Sequence, residues 1–279
     1  MFRVRVPGCW ANVLDDCHGP LTKEHILSVA AIQHRNPSAS REEKLQRRLS
    51  HSSEGGEKPG WSREVSVSNL VCRMLCEGHN QGSSELDAAG GRFNDALRGF
   101  ADLAVERKYA KFKFVPKRFD VDGPLVERWL MKTAVNLMVA YREDRRIGSS
   151  AADINRPHTE LAEMIYGRRP VSAPYGVWYV TPRDGRTGIN DDFNVRHWRN
   201  GEVVCGTLFA ICGFRFAVSL SNSEPPWDFL GRMIGWKKYQ SVRHLVDLRQ
   251  ERIGAELRIA WPPSLKLEAL PRGTTPYKS

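Results

Sequence analysis

The residues best equipped for chemistry are gathered near the N-terminus. Four of the six cysteines (Cys9, Cys17, Cys72 and Cys76) and five of the eight histidines (His18, His25, His34, His51 and His79) fall within the first 79 positions. Clustered thiols and imidazoles in a chain with no secretory leader point to a metal site in preference to disulfides. Cys76-Glu-Gly-His79 places two ligands on one tight turn, a spacing that suits tetrahedral zinc. The upstream pair, Cys9 and Cys17, is spaced more widely, so the loop from Trp10 to Asp16 must fold back to bring both sulfurs to one ion. Cys72 competes with His79 as the fourth ligand. On a strand through Val71 to Leu75, however, Cys72 and Cys76 would lie about 13 Å apart at Cα, which favours His79. Cys205 and Cys212 sit in an apolar stretch and read as small buried hydrophobes.

Three segments taken in order resemble the HNH endonuclease family, in its zinc-stabilised ββα-metal form. They are Cys9…Cys17, then Leu21-Thr-Lys-Glu24-His25-Ile-Leu-Ser28, then Leu75-Cys76-Glu-Gly-His79-Asn80-Gln-Gly-Ser-Ser-Glu-Leu-Asp87. The resemblance covers the N-terminal third of the chain. It implies a structural Zn2+ on Cys9, Cys17, Cys76 and His79. It also implies a catalytic Mg2+ or Mn2+ held by Glu24 and Asn80, and an Asn that orients the histidine through its backbone. Asn69 is the candidate for that Asn. A helix follows, with Ser83 or Ser84 as N-cap and Asp87 in its early turns. The sequence departs from the family pattern in its stretched first knuckle, in the distance from Asn69 to Cys76, and in carrying Asn80 where His is usual.

Hydrolysis of a phosphodiester needs a water deprotonated near neutral pH, a cation to offset phosphate charge and a stabilised leaving oxygen. His25 titrates in the right range to be the base. Hard oxygen ligands such as Glu24 and Asn80 suit a magnesium-like ion, and soft thiolates suit zinc. Adjacent strand residues point to opposite faces, so Glu24 and His25 need a twist or bulge to serve one site. Asp87 reads more simply as a helix-end charge than as a ligand.

The remaining chain must position these groups. Its 279 residues suffice for a substantial core, and 41% hydrophobic with 27% charged residues is an ordinary globular composition. No apolar run reaches membrane-spanning length, and the N-terminus lacks a secretory leader, so a cytoplasmic protein is expected. The formal charge of +10 falls almost wholly beyond residue 100, which suits a polyanionic partner such as nucleic acid, DNA first. Capping-box spacing predicts a short charged helix from Ser40 to Leu49, and composition predicts a loop over His51 to Gly60. Lys111 and Lys113 alternate with Phe112 and Phe114, the period of a basic-faced strand within Lys108 to Arg118. That stripe could contact phosphate, or it could be a lysine-protected edge. Gly123 to Tyr141 predicts a central helix packed on most faces, and Thr159 to Ile165 a shorter one.

Beyond Ser172 the texture turns to strands over 176–180, 193–198, 203–211 and 214–220, with Asn200-Gly201 as a hairpin signal. Asp228 to Gly235 and Arg243 to Glu251 could add short helices. Trp178, Trp198, Trp227 and Trp236 could stack bases, although core packing explains them more simply. The expected fold is α+β: an HNH-like zinc-stapled module over 1–107, then a basic helix-plus-antiparallel-sheet domain over 108–279. The expected function is metal-dependent phosphodiester hydrolysis of DNA. The alternative is a non-catalytic nucleic-acid-binding or interaction protein on the same scaffold.

Overall fold

The computed structural model describes residues 5–27, 46–53, 61–66, 70–107, 114–140, 146–153, 156–172, 174–182, 193–221, 236–241, 247–250 and 254–262. The fold is α+β, with helices and three sheets among these residues. A 3-10 helix, Trp10–Leu14, leads to strand β1 (Leu21–His25). Strand β1 pairs antiparallel with β4 (Val71–Cys76), and these two form a sheet of their own. Helix α1 (Glu77–Gly82) and the 23-residue helix α2 (Ser84–Glu106) follow directly. Ser83 precedes α2 as expected, but its hydroxyl donates to the Asn80 carbonyl and caps nothing.

Helix α3 (Gly123–Ala140) lies at the centre, with residues facing every direction buried. Asp122 starts it by accepting the Leu125 amide at 2.9 Å, which satisfies one of the donors a helix start leaves open. Helices α2 and α3 approach closely at Gly90, where a Cβ would stand 2.1 Å from the Trp129 ring. Helix α4 (Thr159–Ile165) packs against α3 and the 3-10 helix.

The large sheet has the order β11 (Trp236–Ser241), β7 (Gly176–Pro182), β10 (Phe214–Ser219), β9 (Val203–Ile211), β8 (Phe193–Asn200), β2 (Gln46–Ser53), β3 (Trp61–Ser66), with β6 (Arg146–Ile147) also on β9. The β8–β9 turn uses Gly201 at φ +59°, a left-handed conformation that glycine adopts without strain. A third sheet orders β12 (Asp247–Gln250), β13 (Ala255–Ala260) and β5 (Lys117–Asp122).

Two expected helices are strands where described. Gln46 to Leu49 belongs to β2, which pairs with β3 on one side and runs parallel to β8 on the other. Hydrogen bonding along both edges, one partner coming from residue 193 onward, overrides a helix signal read from local charge and capping. His51 to Ser53 continue that strand. Asp247–Gln250 likewise pairs with β13 instead of forming a helix. The lysine stripe over 108–113, the loop over 54–60, Trp227 and the helix expected from Asp228 lie outside the described residues, as does Asn69. Trp198 is buried in a small cluster with Val180, Cys205 and Leu208, against which Trp178 packs, so these two tryptophans are core.

One main core runs from Cys9, Cys17 and Cys76 through Phe93 and Trp129 to Phe216 and Trp261. It is continuous across the boundary expected at residues 107 and 108, and the β2–β3 hairpin extends the sheet built from the later part of the chain. No helix among the described residues is long and apolar enough to cross a membrane.

Candidate metal centre

The turn at Cys9, the 3-10 helix and a left-handed Asp15 (φ +58°) reverse the chain tightly enough to return Cys17 to Cys9. Strand β4 ends at Cys76, and the first turn of α1 carries His79 to the same point. Gly78 permits this closure, since a Cβ there would fall within 2 Å of the His18 ring. The four ligating atoms of Cys9, Cys17, Cys76 and His79 lie within 4.8 Å of one another, and all four residues are buried. The His79 Nδ1 atom is 3.6 Å from Cys9 Sγ, 3.7 Å from Cys17 Sγ and 3.1 Å from Cys76 Sγ. Tetrahedral zinc, with Zn–S of about 2.3 Å and Zn–N of about 2.0 Å, sets such N···S separations at about 3.5 Å. The donor set and its spacing therefore fit a structural zinc ion. Cys72, half-buried on β4, is not part of the group.

Burial above all holds the Cys9 and Cys17 thiols above their usual range. Burial likewise lowers His79, against the opposing pull of Asp16. A neutral imidazole is the form that ligates. Its second nitrogen, Nε2, lies 2.9 Å from Asp16 Oδ1, and Asp16 in turn pairs with Arg168. A carboxylate there fixes the tautomer that leaves Nδ1 free for metal. The Tyr166 hydroxyl donates to the His79 carbonyl at 3.1 Å, and its ring meets the imidazole edge-on. None of Asp16, Tyr166 or Arg168 was picked out from the sequence. Asp16, an acid directly before a cysteine ligand, was the available signal.

The second group surrounds β1. Glu24 faces inward and is 4% exposed. Its Oε1 lies 2.6 Å from Nζ of Lys132, a lysine 1% exposed on α3, and the same ammonium reaches Asp87 Oδ2 at 2.7 Å. Burial raises the Glu24 carboxyl, while Lys132 and a hydrogen bond from Asn136 pull it back down. His25, the last residue of β1, is half-buried. Burial lowers it, the Asp87 charge raises it and the Lys132 charge lowers it. The balance favours the neutral imidazole, the form a base requires. Lys23, two residues earlier and so on the same side of the strand as His25, is exposed opposite exposed Arg73.

Asn80 donates its amide nitrogen to Thr22 Oγ1 at 2.9 Å. That bond anchors Asn80 to β1 two residues before Glu24, next to the register shift between Thr22 and Lys23 in the β1–β4 pair. Asn136 Nδ2 donates to the His25 carbonyl at 3.4 Å, a bond of the backbone-orienting kind that the resemblance implies for Asn69, which lies outside the described residues. Asn136 also accepts from Trp10 Nε1 at 2.9 Å, tying β1 to the 3-10 helix. Lys132 and Asn136 are four apart on α3 and project together. Two polar residues at that spacing in the mostly apolar second half of the helix were the signal to follow.

The residues around Glu24 do not fit the expected catalytic ion as they stand. A magnesium-like ion keeps several waters at about 2.1 Å in an octahedron, whereas this carboxylate is enclosed and already bound to an ammonium. No family model, no curated protein and no solved structure matches this chain.

Proposed function

We propose that the protein hydrolyses phosphodiester bonds in nucleic acid, DNA first, as an HNH-type endonuclease. The observation that carries this reading is the placement of His25. A neutral, half-buried imidazole ends a strand clamped by the Cys3His centre, with Asp87 near enough to favour its protonated form. In this reading His25 takes the proton from the attacking water, and Asp87 stabilises the imidazolium that results. Asn136 holds the backbone at His25, while Lys23 and Arg73 meet phosphate oxygens on the exposed side of the β1–β4 pair. Zinc takes no part in the reaction and staples the two chain segments together. Mg2+ and Mn2+ belong to this reading as ions to be supplied in the assay, and no step above runs through them.

Supercoiled plasmid incubated with wild type should be nicked, and His25→Ala should leave it intact while keeping about one zinc per chain. The reaction is run with Mg2+, with Mn2+ and with neither, and single-stranded DNA and RNA serve as parallel substrates. Inactivity of wild type throughout would sink the hydrolase. One observation favours the second reading, a non-catalytic nucleic-acid-binding scaffold: Glu24, the expected metal ligand, is occupied by Lys132. Salt-dependent binding without cleavage would then be the outcome.

A further inference from the structure

The cation that Glu24 and Asp87 share is part of the chain. Lys132 comes from the middle of the central helix, where an unpaired ammonium would be strongly destabilising. Its two contacts, 2.6 Å to Glu24 and 2.7 Å to Asp87, are those of short charge-assisted hydrogen bonds. The acids come from different elements, Glu24 from β1 and Asp87 from the first turn of α2, so the ammonium joins three elements at one point. Asn136, one turn further along α3, binds both Glu24 and the His25 carbonyl. The result is two carboxylates on one positive centre, close enough for its charge and that of Asp87 to act on His25. A divalent ion would have to expel the ammonium and open the enclosure to water before it could gather the same carboxylates.

We infer that the Lys132 ammonium is the resident cation of this cluster. It holds Glu24 and Asp87 together in the place a divalent ion would take, so Mg2+ and Mn2+ are excluded from these carboxylates while Lys132 is present. Lys132 acts as a positioning residue here and touches no substrate. The inference stands apart from the proposed hydrolysis, since it concerns what occupies the cluster and holds for a scaffold as well as for an enzyme.

The test is Mn2+ uptake by the zinc-loaded full chain, read from loss of the free-ion electron paramagnetic resonance signal, with zinc content measured before and after. Wild type should show no Mn2+ uptake that Glu24→Gln removes. Lys132→Met should bind Mn2+ at least roughly tenfold more tightly than wild type, and adding Glu24→Gln to it should abolish the gain. In a thermal melt, Mn2+ should raise the midpoint of Lys132→Met and leave that of wild type unchanged. Stoichiometric uptake by wild type that Glu24→Gln abolishes would overturn the inference, as would a folded Lys132→Met that gains no site. If Lys132→Met fails to fold, the comparison of wild type with Glu24→Gln decides the matter. None of these readouts depends on cleavage, so failure here and failure of the hydrolase reading are separate results.

Discussion

A histidine that is to hold a metal ion has to be aimed as well as placed, and for His79 the aiming residue is Asp16. Strand β4 and helix α1 bring His79 to the cluster, yet the ring could still turn and offer either nitrogen. The Asp16 carboxylate at 2.9 Å from Nε2 removes that freedom, and Arg168 holds the carboxylate from the far side. Asp16→Asn keeps the shape and loses the charge. It should weaken zinc binding about 10- to 100-fold, the usual effect of losing such an outer partner. Competition against a chromophoric chelator reads this directly. Arg168→Ala should weaken binding less, because the Arg168–Asp16 pair is open to solvent and screened. Equal zinc affinity in Asp16→Asn and wild type would show that the ligand turn alone orients the ring.

At the level of elements, the decisive contact is the crossing of α2 on α3, because α3 delivers Lys132 and Asn136 to β1. The crossing depends on Gly90 lying directly against Trp129. In an open helix Gly→Ala gains about 0.5–1 kcal/mol. Here a methyl would stand 2.1 Å from the indole, and overpacking of that kind costs typically 1–3 kcal/mol. Gly90→Ala should therefore lower stability on balance, measured as a lower urea midpoint with an unchanged slope. A higher midpoint would mean the two helices can separate freely. The same helices show what the sequence revealed. Helix α3, helix α4 and strands β7 to β10 were legible because each carries its own periodicity and turn residues. Strand β2 was not, since its partners are β3 and the distant β8. The Cys3His group was legible as residue types whose spacing suits a metal. The pairing of Lys132 was not legible, because its partner Asp87 is 45 residues away, and the Asn136 bond to His25 spans 111. Local pattern carries no information about such pairings.

For the whole molecule, the question is whether the N-terminal third can stand alone. A zinc-stapled module often folds on its own metal, and the sequence suggested a boundary at residue 107. The packing argues otherwise. Phe93 on α2 meets Trp129 on α3 at 6.3 Å between ring centroids and Phe216 on β10 at 5.3 Å. The inward face of β1 ends on Lys132. Cut at 107, the fragment would expose the apolar side of α2 and leave Glu24 without its cation, a buried charge stripped of its partner. Fragment 1–107 should therefore show no cooperative thermal transition with zinc present, whereas the full chain should melt in one. Stripping zinc from the full chain should lower that single midpoint without splitting it, because the cysteines belong to the same core as Phe216 and Trp261. Calorimetry of the three samples makes the comparison. A fragment that melts cooperatively, or a stripped chain that melts in two steps, would establish the zinc-bearing third as an independent unit and would make the contact between α2 and α3 an interface instead of a core.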